Sequence, residues 1–332
     1  MIAIETRQLA GGVVLHAFPE GKRAVPLPCV VFYHGFTSSS LVYSYFAVAL
    51  AQAGFRVVMP DAPEHGARFG GDSQGRIHRF WQILHQNMQE FTTLRAAIQA
   101  ENWLLDGRLA VGGASMGGMT ALGIMTRHRE VKCGASLMGS GYFTGLARTL
   151  FPPLSPQNPA QQAEFDNIIA PLREWEVTHQ LERLADRPLL LWHGQEDDVV
   201  PAIETFRLQQ ALAAAKLDKH VTCLWAAGVR HRITPEALSA TVAFFPTASL
   251  NAEYAYTLGF KLLQNLRIGI FAGNQHSDLI GAAEQHPRAL ANFTAIDQRD
   301  QFPDDAEHFF VPPWRLAYRS CTGHLRLSPF RW

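Results

Sequence analysis

The run Val111-Gly112-Gly113-Ala114-Ser115-Met116-Gly117-Gly118 sets one hydroxyl among four glycines behind an apolar residue. A phosphate loop of the Walker type needs Lys and Ser/Thr directly after its last glycine. Here Gly117 is followed by Gly118 and Met119, so no lysine is placed to grip a phosphate, and the glycines also miss the dinucleotide-binding spacing. What fits is G-x-S-x-G, Gly113 to Gly117, the sharp strand-to-helix turn that exposes a nucleophilic serine. The plainer reading is a glycine-rich junction with an incidental serine. A serine hydroxyl is almost wholly protonated at neutral pH. It therefore needs a base in hydrogen-bond contact, and the base needs a group that fixes its tautomer and balances its charge.

The chain has 14 histidines, so position must choose among them. His231 follows the last strand-like run, 221–225, in a loop that Gly228 allows to turn, and it is the candidate base. The candidate carboxylate is Asp197 or its neighbour Asp198, both just after the apolar run 188–192, and spacing alone does not separate them. Acyl transfer also needs donors aimed at the developing oxyanion. The backbone N–H of Met116, next to the serine, supplies one. The second is expected from His34-Gly35-Phe36-Thr37, with the Phe36 N–H preferred and Thr37 next. His34 reads as a histidine satisfied by loop backbone, and His65, in the loop 61–66 beside the pocket, is open between that role and a direct one.

The elements that must hold these groups alternate along the chain. Runs 28–33, 55–59, 108–112, 133–138, 188–192 and 221–225 are short and predominantly apolar, as strands covered on both faces are. Helical periodicity lies between them, over 41–53 and over 77–103, where Ile77, Phe80, Leu84, Met88, Phe91, Leu94 and Ile98 recur at three- and four-residue steps. This predicts an α/β fold with a mostly parallel sheet and helices on both faces. An antiparallel pair over 3–9 and 12–18, turning at Gly11-Gly12, precedes it. The polar, glycine-bearing segments all follow strand ends, on the edge where open α/β sheets bind ligands.

Between 138 and 188 no strand signal occurs. Phe143, Leu146, Phe151, Phe165 and Trp175 fall on predicted helices there, and they read as a helical cap over about 142–186. Phe143, Phe151, Phe165 and Trp175 are expected to fill the space above Ser115. A closing helix is predicted over 235–245, with Pro246 after it. Residues 246–332 form a C-terminal extension with a further helix over 252–271 and little periodicity beyond, a loosely ordered tail. It is either an accessory segment or an out-of-frame or read-through terminus.

With 47% hydrophobic and 17% charged residues, 332 residues suffice for a large soluble core. The 29 basic and 29 acidic side chains cancel, which argues against a nucleic-acid or anionic-membrane surface. No basic-then-apolar leader opens the chain and no apolar run approaches membrane length, so the expected location is cytoplasmic. Cys29, Cys133 and Cys223 lie in strand-like runs and read as small hydrophobes rather than disulfide partners. No H-E-x-x-H or paired C-x-x-C occurs, so neither metal nor organic cofactor is expected, and nothing specifies an oligomeric state.

His34-Gly35-Phe36, Gly113-Ala114-Ser115-Met116-Gly117, His193-Gly194-Gln195-Glu196-Asp197-Asp198-Val199-Val200-Pro201 and Gly228-Val229-Arg230-His231 together resemble the dienelactone hydrolase and prolyl-oligopeptidase-like branch of the α/β-hydrolases. The resemblance runs over residues 1–245, expected as one α/β-hydrolase domain. In the family's H-G-x-x-D-x-x-V-P pattern the first aspartate carries the triad role, so the resemblance implies Asp197. The order Ser115, Asp197, His231 is that of α/β-hydrolases. The implied function is a serine carboxylesterase hydrolysing short-chain acyl esters of small molecules through an acyl-enzyme. A peptidase or thioesterase would use the same triad, and a catalytically silent hydrolase fold used for binding is the alternative of another class.

Overall fold

Strand β3 (Leu27–Tyr33) shows how the sequence builds the scaffold. Its side chains alternate: Cys29, Val31 and Tyr33 enter one apolar layer, while Val30 and Phe32 enter the other. Both faces are covered, which is why the run is apolar throughout. The computed structural model describes residues 1–249. The extension beyond, including the helix expected over 252–271, lies outside the described residues.

The strands β1 (Ile2–Leu9), β2 (Gly12–Pro19), β3, β4 (Arg56–Pro60), β5 (Leu104–Ala114), β6 (Val131–Leu137), β7 (Leu189–Gly194) and β8 (Val221–Ala226) form one eight-stranded sheet ordered β1-β2-β4-β3-β5-β6-β7-β8. Pairs β1–β2 and β2–β4 are antiparallel, and the rest are parallel. On one face Val31, Tyr33 and Val111 pack against Phe91 and Leu94 of α3 (Phe80–Ala100) and Leu122 and Met125 of α4 (Met116–Arg127). On the other, Val30 and Phe32 meet Phe46 and Leu50 of α1 (Ser44–Gln52) and Val242 and Phe245 of α9 (Pro235–Ser249). Among the described residues no helix is long and apolar enough to cross a membrane. Cys29, Cys133 and Cys223 are free thiols, and burial raises the first two to about 12.

Several boundaries differ from expectation for identifiable reasons. The hairpin turns at Ala10-Gly11, not Gly11-Gly12: both turn residues have positive φ (54° and 79°), as a two-residue primed turn requires, and Gly12 starts β2. The periodic segment 77–103 is not one helix. It splits at Arg79 into α2 (Ser73–His78) and α3: Arg79 leaves the helical backbone with φ −100° and ψ 6°, and its guanidinium pairs with Glu64 and Asp72, at 2.7 and 3.0 Å. Helix α9 continues through Pro246, which cannot donate the hydrogen bond its missing N–H would have made.

The segment between β6 and β7 is helical, with α5 (Phe143–Leu146), α6 (Pro159–Ile169), a 3₁₀ turn (Ala170–Glu174) and α7 (Leu181–Ala185). Its Phe143, Leu146, Phe165 and Leu172 join Phe80, Trp81 and Met88 of α3 and Met116 and Met119 of α4 in a third apolar cluster. The Trp81 indole N–H donates to the Leu150 carbonyl at 2.9 Å, tying α3 to this segment. Helix α8 (Ile203–Ala214) connects β7 to β8.

Candidate active site

Ser115 is the single residue between β5 and α4, with φ 56° and ψ −121°. A non-glycine residue in such a conformation costs about 1–3 kcal/mol and persists only where its surroundings enforce it. Here the Ser115 N–H donates to the Leu137 carbonyl at 2.8 Å, and the Ser115 carbonyl accepts the Met119 N–H at 3.0 Å. The flanking glycines are required by backbone contact. A Cβ on Gly113 would stand 2.4 Å from the Gly117 carbonyl, and one on Gly117 would stand 2.1 Å from the Tyr33 carbonyl oxygen. The turn therefore lifts the serine above the carboxyl end of the sheet, as a strand–turn–helix nucleophile needs.

Loops after β7 and β8 converge on it. The Ser115 hydroxyl donates to His231 Nε2 at 2.8 Å. His231 Nδ1–H faces both carboxylate oxygens of Asp197, at 2.9 Å to Oδ1 and 2.8 Å to Oδ2. Asp197 Oδ1 also accepts the N–H groups of Val199 and Val200 at 3.0 and 2.9 Å. On its other side Oδ2 meets His193 Nε2 at 3.1 Å. That nitrogen lies 2.9 Å from the Val200 carbonyl as well, so it faces only acceptors and carries a proton. His193 Nδ1 is 2.7 Å from the Thr205 hydroxyl. Burial opposes the charge on Asp197, but the hydrogen bonds from His193 and His231 outweigh it and hold the carboxyl well below the usual carboxylate range. Asp198 instead turns outward to an exposed ion pair with Arg230. The two neighbouring aspartates that spacing left open thus have unlike surroundings.

The loops after β3 and β4 are locked by two histidines acting reciprocally. His34 donates from Nδ1 to the Gly35 carbonyl at 2.7 Å and accepts the Ala62 N–H at Nε2, 3.0 Å. His65 donates from Nδ1 to the Pro63 carbonyl at 2.7 Å and accepts the Thr37 N–H at Nε2, 3.0 Å. Each role requires a neutral ring. Burial lowers both, His65 to about 4. Asp61 adds a further brace, accepting the Ser40 N–H at 2.7 Å and the Ala67 N–H at 2.8 Å. This separates the two expected oxyanion donors. The Thr37 N–H is occupied by His65, whereas the N–H groups of Phe36 and Met116 have no partner among the described residues. Gly35 brings this loop against the serine: a Cβ there would lie 3.5 Å from Ser115 Cβ.

The Phe36 ring stands 5.0 Å from Phe80 and 5.5 Å from Phe151, and Phe80 and Phe151 are 5.2 Å apart. Trp175 shares the apolar cluster of Phe80, but its own ring contacts are with His85 and His128, at 6.2 and 6.4 Å. Its carbonyl accepts from the Thr126 hydroxyl at 3.2 Å. Thr126 is about 16 Å along α4 from Ser115, at ~1.5 Å per residue. The aromatic pattern alone could not say which end of α4 each ring would cover. Sequence reasoning also missed His193, Asp61 and Arg76. The first was visible as a polar residue at a strand end and the second as a member of the loop 61–66, while Arg76, on α2, carried no signal.

The Prolyl oligopeptidase family model matches residues 42–248. The chain is 71% identical over 245 residues to Esterase YjfP of Escherichia coli (strain K12), covering 74% of this chain and 98% of that esterase. Among solved structures, TT1662 from Thermus thermophilus superposes with a TM-score of 0.61 at 21% identity, over 76% of this chain and 99% of its own. A puromycin-hydrolyzing peptidase of Mycobacterium tuberculosis gives 0.55 at 21% identity, over 74% of this chain and 40% of its own. With its strand order, its serine turn and these matches in agreement, the chain is a serine hydrolase of α/β-hydrolase fold and belongs to the prolyl oligopeptidase family.

Proposed function

We propose that the chain is a serine carboxylesterase that hydrolyses short-chain acyl esters of small molecules, in the cytoplasm, through an acyl-enzyme. The observation that carries this reading is the unbroken chain of contacts from Ser115 Oγ through the His231 ring to Asp197, each 2.8–2.9 Å. Ser115 Oγ attacks the ester carbonyl carbon while its proton passes to His231 Nε2. The resulting oxyanion is received by the N–H groups of Phe36 and Met116. Asp197 holds His231 in the Nδ1–H tautomer and balances the imidazolium. Collapse of the tetrahedral intermediate breaks the bond to the alkoxy oxygen, and His231 returns the proton to the departing alcohol. A water then gives a proton to His231 and attacks the acyl carbon; the bond to Ser115 Oγ breaks, the acid leaves, and Oγ takes the proton back from His231.

The resemblance to a protein named an esterase supports ester over amide substrates. The helices over about 142–186 act as a cap that limits chain length, with Phe151 packed on Phe36 and Phe80 beside the oxyanion loop.

The test is a series of p-nitrophenyl esters from acetate to dodecanoate, run on the native enzyme and on Ser115→Ala, with fluorophosphonate labelling. Turnover should be highest between acetate and hexanoate, fall by at least about 10³-fold in the variant, and be lost on labelling of Ser115 alone. Labelling at Ser38, Ser39 or Ser40, or turnover that survives Ser115→Ala, would refute it.

A further inference from the structure

Arg76 sits on α2, between the loop after β4 and α3. It is only 9% exposed, yet no carboxylate pairs with it among the described residues. The nearby acids Glu64 and Asp72 are both taken by Arg79. Arg76 Nη1 donates to the Glu64 carbonyl at 2.9 Å, and its buried Nε has no partner. The guanidinium carbon lies 5.5 Å over the Phe36 ring and 4.8 Å over the Phe69 ring. It is thus held between a ring that lines the site and a ring 43% exposed at its rim.

A guanidinium stays charged whatever its surroundings, and burying it without a counter-charge is unfavourable. Two aromatic faces and one carbonyl recover part of that cost. The unused part of the group is specific. With Nη1 engaged, Nε and Nη2 form the side edge that a carboxylate takes with two parallel N–H···O bonds. Phe69 is the more exposed of the two rings. Phe36, the inner ring, carries the backbone N–H assigned above to the oxyanion.

We propose that Arg76 is a specificity-determining residue of this site, and that the preferred substrates are esters bearing a carboxylate, bound across Phe36 from the reacting carbonyl. The proposal rests on the esterase reading. The carboxylate can belong to the acyl group or to the alcohol, and two substrate pairs distinguish these cases. Monomethyl glutarate against methyl butyrate places the charge on the acyl side. O-Acetylglycolate against ethyl acetate places it on the alcohol side. Hydrolysis is followed by pH-stat on the native enzyme, Arg76→Met and Arg76→Lys.

In one of the two pairs the native enzyme should favour the anionic ester by at least about tenfold in kcat/KM. Arg76→Met should erase that ratio through KM, and Arg76→Lys, a point charge without the fork, should restore it only in part. A native enzyme that turns over the neutral esters with no anionic preference in either pair overturns the proposal. A preference that survives Arg76→Met does so too. If Arg76→Met does not fold, the native ratio and the lysine variant decide between the same outcomes. Failure to turn over any of the four esters refutes the esterase reading itself, and this proposal falls with it.

Discussion

Replacing Asp197 by asparagine changes one atom, and the surroundings dictate where that atom goes. The Oδ1 side faces two backbone N–H groups, those of Val199 and Val200, at 3.0 and 2.9 Å. An amide NH₂ cannot sit there, because donors would oppose donors, so the asparagine oxygen must take that side. The NH₂ then points at His193 Nε2, 3.1 Å away, and at His231 Nδ1, 2.8 Å away. His231 can meet it only by turning Nδ1 into an acceptor, which moves its proton to Nε2. In that tautomer Nε2 cannot accept from Ser115. The variant also loses the negative charge that balances the imidazolium. In the serine protease triad the equivalent change costs about 10⁴ in kcat, or ~5.5 kcal/mol of barrier. The same tautomer argument holds here, so kcat for Asp197→Asn should fall by about 10³–10⁴ with KM changed less than about threefold. Asp198→Asn weakens an exposed pair with Arg230 and keeps an oxygen that can still accept the His231 backbone N–H, so it should stay within about twofold. Steady-state kinetics on p-nitrophenyl butyrate, with circular dichroism to confirm folding, decides the matter. A loss below tenfold in Asp197→Asn, or equal losses in the two variants, would refute the reasoning.

His193 should act as a positioning residue for Asp197. Glutamine can place an N–H near the position of Nε2 and asparagine cannot, so His193→Asn should lower kcat and the rate of fluorophosphonate labelling by about 10- to 100-fold, while His193→Gln recovers most of both. Equal losses in the two variants would reduce His193 to a packing role. Stability should also depend on pH through the buried imidazoles. Burial lowers His65 to about 4 and His16 to about 3, and lowers His34. Between the ordinary imidazole value of ~6.5 and these folded values, the unfolded chain takes up protons that the folded chain does not, so stability falls as pH falls through that window. Scanning calorimetry should show Tm dropping from pH 6.5 to 4, with a shallower drop in His65→Gln. A flat Tm across that range would contradict the neutral, hydrogen-bonded rings.

The parts of this site that sequence shows are those where local backbone geometry restricts residue type. Gly113 and Gly117 are such a case: the strand, the helix and the Tyr33 carbonyl leave no room for a Cβ, so the turn is written in two glycines. The alternating strands were legible for a similar reason, since burial on both faces leaves only apolar residues. What escaped the sequence is set by partners distant along the chain. Sequence ranked the Phe36 N–H ahead of that of Thr37 but could not show that His65 occupies the Thr37 N–H. Periodicity carries smoothly through Arg79, although the backbone leaves the helix there with φ −100° and ψ 6°. Trp175 has the apolar character of a pocket residue but packs beside the far end of α4, a choice made by the path of the whole segment.

The distribution of charge ties these features into one argument about catalysis. Proton transfer from Ser115 to His231 creates a positive ring and a negative oxygen in the same step. The positive ring forms against Asp197, whose carboxylate is kept ionised by His193 and two backbone amides. The negative oxygen forms beside the loop of His34 and His65, which burial keeps neutral. Neutral rings there matter because each must accept a backbone N–H to fix the loop; a protonated ring would release it. Donors fixed in advance need no reorganisation when charge appears, which is where most of their catalytic value lies.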